Sequence, residues 1–107
     1  MFFLLVVSQD SQAVAEDLRG LVASSVAKGY KVAVFFNEDS VRLLNADRDE
    51  LKSLPVGVRL FACRTSAMSH SLSKREDLIL GSEMSSLVEL VDLLDEADRC
   101  IFLGNTS

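Results

Sequence analysis

Short apolar runs alternate with longer segments of helical period along the whole chain, and that alternation leaves few folds open. "FFLLVV" (Phe2–Val7) is apolar at every position, as a strand covered on both faces of a parallel sheet should be. "YKVAVFF" (30–36) is β-branched and aromatic and predicts a second strand. Further strands are expected at 58–62, at "DLILGS" (77–82) and at "RCIFLG" (99–104). Arg59 interrupts the third, so that face is partly exposed or the side chain snorkels.

Between these runs the period changes. Val14, Leu18, Leu21, Val22 and Ser25 share a helix face, with Asp10 or Ser11 to cap it and Lys28-Gly29 to stop it. Short helical turns are expected at 40–44 and 47–54, ahead of Pro55 and Gly57, and a short helix at 64–72. "SEMSSLVELVDLLDEAD" (82–98) predicts an amphipathic helix with Met84, Leu87, Val88, Val91 and Leu94 facing the core. Leu90 and Leu93 widen its apolar stripe, which points to a subunit contact.

Five strands alternating with four helical segments predict an α/β fold: a three-layer α/β/α sandwich around a five-stranded, mainly parallel sheet. At 107 residues it is a single domain spanning 1–107. Ligands of such sheets sit beyond the carboxyl ends of the strands. That rule selects Ser8 and Gln9, residues 37–39, Cys63 and Arg64, residues 81–83, and Gly104 with Asn105.

Charge narrows the partners. Eleven basic residues are scattered among sixteen acidic ones, for a net charge of -5. Nucleic acid and membrane surfaces are therefore disfavoured. The opening run lacks a positive flank and reads as a strand, so a cytoplasmic protein with reduced thiols is expected. The first strand is followed by "SQDSQA" and not by a G-x-G-x-x-G loop, so no dinucleotide cofactor is expected. The lone histidine has no carboxylate pair at ligand spacing, so no metal is expected either.

Cys63 is the sharpest chemical candidate. It ends a strand and begins a helix, where unpaired N–H groups, the helix dipole and Arg64 favour a thiolate, and the turn would leave it accessible. Equally, cysteine packs as a small apolar residue, and position alone does not choose between the two. Cys100, flanked by Ile101 and Phe102, reads as core. His70 lies two helical turns past Cys63, about 10 Å along the axis, and reaches it only if the segment is a loop. Asn37 and Asp39 either cap the turn after the second strand or line the pocket, together with Ser8.

Three segments in order give a resemblance. "FFNEDSVRLLNA", "VRLFACRTSAMSHSL" and "GSEMSSLVELVDLLDEADRCIFLG" are similar, over essentially the whole chain, to the DsrE-like (DsrE/TusD) sulfur-relay family. Ser40 stands where that family usually has glycine. The resemblance implies a sulfurtransferase-type carrier in which Cys63 accepts a sulfane sulfur as a persulfide. It implies donor and acceptor proteins, a TusA-like carrier among the possible donors. It also implies a homotrimer, a homohexamer or a hetero-oligomer with related subunits. A non-catalytic subunit and a small-ligand or protein-interaction module of the same fold are the alternatives.

Overall fold

In the computed structural model, which describes residues 1–104, five parallel strands stand in the order β4-β3-β2-β1-β5. They are β1 (Phe2–Val7), β2 (Lys31–Phe36), β3 (Arg59–Cys63), β4 (Ser82–Ser85) and β5 (Arg99–Leu103). The helices are α1 (Gln12–Ala27), α2 (Arg64–Ser69) and α3 (Leu87–Glu96), with 3-10 turns at Glu38–Leu44 and Arg75–Asp77. The expected Asn105 site residue and the terminal tail lie outside the described residues.

The strand order dictates the layers. From β1 to β4 the chain steps in one direction, so right-handed crossovers put all three connections on one face. The step from β4 to β5 reverses direction and sends α3 to the other face. The packing follows this division. Leu5, Val7, Val34, Phe36 and Ala62 meet Val14, Leu18 and Val22 of α1, Val41 and Leu44 of the first 3-10 turn, and Ala67 of α2. On the opposite face Leu4, Val6, Ala33, Phe35, Phe61 and Cys63 gather with Leu93, flanked by Leu90, Ala97 and Cys100.

Three local expectations are corrected. The 77–82 run is no strand: Arg75–Asp77 form a 3-10 turn, Leu78 bridges antiparallel to Asn45, and β4 follows at Ser82–Ser85. The last helix accordingly starts at Leu87, with Ser86 Oγ accepting from the Glu89 N–H at 3.3 Å. Its phase is also reversed. Leu90 and Leu93 face the sheet, while Leu87, Val88, Val91 and Leu94 are exposed. Both stripes of α3 are apolar, so the pattern alone could not choose between them. Asp98 contributes to the choice: its N–H donates to Phe2 O at 2.9 Å, and its Oδ2 accepts from the Phe2 N–H at 2.7 Å. Arg59 lies over the Phe61 ring at 4.7 Å, its charge reaching Glu83 at 3.7 Å on the neighbouring strand.

Candidate functional site

The connections leaving β3 and β4 diverge. The chain leaves β3 through α2 on one face and leaves β4 through α3 on the other, which opens a switch point between their carboxyl ends. Cys63 and Ser85 stand there, paired across the two strands as the last residue of each.

Register extends this pair into a row. Phe36 pairs with Ala62, so Asn37, one step on, stands beside Cys63. Val7 pairs with both Phe36 and Leu103, so Ser8 stands beside Asn37 on one side and Gly104 on the other. A Cβ on Gly104 would collide with the Ser8 hydroxyl, and Gly104 has φ 145°, so this approach requires glycine. Strand pleating sets the faces. Ala62 and Met84 belong to the α1 side, so Cys63 and Ser85, each one residue further, turn to the α3 side.

Cys63 is free but buried, with only 6% of its surface exposed, which differs from the accessible turn expected of it. It occupies the N-cap position of α2 without its side chain capping the helix. That helix has six residues and ends earlier than its sequence suggests, so its dipole is small. The chain turns back at Ser71, in the left-handed region at φ 59°. Arg64 is exposed and forms no ion pair among the described residues.

His70 is the C-cap residue of α2, at the far end from Cys63, and its Nε2 lies 3.1 Å from Asp39 Oδ1. The two pair with each other and tie α2 to the 3-10 turn. Ser66 Oγ adds a second tie, accepting from the N–H of Glu38, a residue strained at φ 50°. Ser40, the residue in place of glycine, is fully buried and its hydroxyl is within donating distance of Val7 O (2.6 Å) and Asn37 O (2.7 Å). It thereby fixes the backbone from which the Asn37 side chain projects.

Two polar atoms of the row are left without partners. Asn37 Oδ1 and Ser85 Oγ are buried and accept or donate no hydrogen bond. Asn37 was anticipated; Ser85 was missed, because 82–98 reads as one helix. The signal that would have found it is Ser86-Leu-Val-Glu89, a capping pattern that starts the helix at Leu87 and frees the residues before it for a strand. The other thiol is a poor nucleophile: burial pushes Cys100 up from its ordinary range. Three open grooves lie at the opposite end of the sheet, one of about 670 Å³ running past Phe2, Tyr30, Val58 and Arg59. No helix among the described residues is long and apolar enough to cross a membrane, and no three metal-ligating side chains gather among them.

A profile of the DsrE/DsrF-like family matches residues 1–103. The chain belongs to the DsrE/DsrF-like family. Two solved structures share its fold, each at 19% sequence identity. A protein of unknown function, MTH1491 from Methanobacterium thermoautotrophicum, superposes with a TM-score of 0.83, covering 94% of this chain and 97% of that one. The ychN protein from E. coli superposes with a TM-score of 0.75, covering 96% of this chain and 100% of that one. At that identity the likeness concerns the fold alone. No curated protein matches the chain.

Proposed function

We propose that the protein is a sulfur carrier in which Cys63 accepts a sulfane sulfur as a persulfide and passes it to an acceptor thiol. Family membership supports a place in sulfur relay in general. The observation that supports Cys63 as the carrier is its place at the switch point between β3 and β4, one residue from the start of α2. The Cys63 thiolate attacks the terminal sulfur of a donor R–S–SH. The new S–S bond forms as the donor's breaks, the donor leaves as R–S⁻, and the hydrogen stays on the transferred sulfur. An acceptor thiolate then repeats the attack and Cys63 leaves as thiolate, so no oxidant or reductant is consumed. A small carrier of the TusA kind fits the donor role. Asn37 and Ser8 line the site, while Asp39 and His70 brace it.

Self-association, as a trimer, a hexamer or an assembly with related subunits, belongs to the same proposal. Leu87, Val88 and Val91 of α3 and Phe102 of the edge strand are exposed and apolar, an arrangement that subunit contacts favour.

Intact mass after incubation with a sulfane-sulfur donor tests the carrier role. A gain on the order of 32 Da is expected, retained in Cys100→Ser and abolished in Cys63→Ser. An unchanged mass, or an adduct lost only in Cys100→Ser, sinks the proposal. One observation favours a second reading, a non-catalytic subunit: the 6% exposure of Cys63, packed with Phe35 and Phe61, is typical of a structural cysteine. The same measurement separates the two.

A further inference from the structure

We infer that Ser85 is a sulfur-holding residue, its hydroxyl donating to the Cys63 sulfur whenever that sulfur is anionic, with Asn37 Oδ1 on the other side accepting a hydrogen bond from the S–H of the transferred sulfur. The inference rests on the carrier role of Cys63 and names side chains that act beside it.

Three observations converge. Ser85 and Cys63 are direct partners across parallel strands and turn to the same face. Such neighbours stand about 4.8 Å apart, so a turn about one side-chain bond brings hydroxyl and sulfur into contact range. Second, Ser85 is only 1% exposed and its Oγ has no partner, protein side chain or backbone. A buried hydroxyl is nearly always bonded, and one that is not gives up nothing when it rotates toward a new acceptor. Third, the Asn37 carboxamide flanks Cys63 on the opposite strand with an equally unpartnered buried oxygen. Donor and acceptor thus bracket one sulfur along a single register row.

This arrangement answers the difficulty that burial creates. A thiolate or persulfide among Phe35, Phe61 and Leu93 is poorly solvated, and Arg64 is exposed. Buried charge is tolerable where hydrogen bonds replace water. Ser85 supplies a donor to the anionic sulfur before attack and to the departing Cys63 sulfur in onward transfer. Asn37 accepts from the S–H of the persulfide.

The test is sulfur uptake by the reduced full chain from inorganic polysulfide at fixed pH, quenched over time and read by intact mass, with urea unfolding in parallel. The wild type is compared with Ser85→Ala and Ser85→Thr. Ser85→Ala should load Cys63 about tenfold more slowly, the loss of one hydrogen bond to a charged sulfur. It should unfold at the same urea concentration or a higher one, because it removes an unpartnered buried hydroxyl. Ser85→Thr, which keeps the hydroxyl, should load faster than Ser85→Ala. Equal uptake by the wild type and Ser85→Ala overturns the inference and leaves the carrier role standing. A Ser85→Ala protein that loads slowly and unfolds earlier also overturns it, since Ser85 is then structural. Failure of the wild type to load overturns the carrier role itself.

Discussion

Arg48 holds together a stretch of chain with little regular structure. Its guanidinium lies 3.0 Å from Asp10, in the loop before α1, and 3.0 Å from Glu50. Arg19 of α1 donates to Glu50 O at 2.9 Å. The hydrogen bond from Arg48 keeps the Glu50 carboxyl below its ordinary range. A depressed carboxyl stabilises the fold fully above its unfolded value, about 4.3, and ceases to do so as pH falls through the lower folded one. Glu50→Gln should therefore lower the stability read from urea unfolding at pH 7 by no more than about 1 kcal/mol, because the pair is part exposed. At pH 3 the gap between variant and wild type should narrow; a gap that widens there refutes the assignment. None of this is legible in the sequence, where Asp10 reads as a helix cap and the 47–54 stretch only as a short helical turn. The place of Cys63 at a strand end is legible because the apolar run that it closes is visible in the sequence. Its burial is not, because that depends on Phe35 and Phe61, contributed by two different strands.

Among the elements, α3 departs furthest from its sequence pattern. An apolar stripe tells which residues avoid water, but a helix with two stripes needs a tertiary contact to choose between them, and the bonds between Asp98 and Phe2 are one. Leu93→Ala should cost about 2–5 kcal/mol as a buried truncation. Val91→Ala, at a position 63% exposed, should stay within about 0.5 kcal/mol in the monomer. Chemical unfolding at low concentration checks both, and the opposite ranking would restore the phase expected from sequence. The β4 error has a similar origin. "DLIL" looks like a strand by composition, yet Leu78 and Ile79 are consumed in packing against the α1 face. The polar "SEMS" becomes the edge strand instead. Edge strands gain their place by pairing, which composition reports poorly. The strands β1, β2 and β3, buried along most of their length, and the apolar but part-exposed edge strand β5 are readable within a residue or two.

At the scale of the whole molecule, parallel strands and their alternation with helices were legible because both faces of the sheet had to be covered. The order β4-β3-β2-β1-β5 was not, since local pattern does not encode which edge the last strand joins. That order decides how unequal the two faces are. One is covered by α1, α2 and the first 3-10 turn, the other by a single ten-residue helix. Five residues of α1 are buried, against one of α3. Local opening follows burial, so the two sides of the sheet should not breathe alike. In native-state hydrogen exchange, the α3 amides should trade their protons at a lower opening free energy than those of α1 and β2. If all three exchange together, the thin layer is as firmly held as the thick one. Exchange also gives assembly a signature that size does not. Protection that rises along α3 with protein concentration would mark that face as the one a second subunit covers.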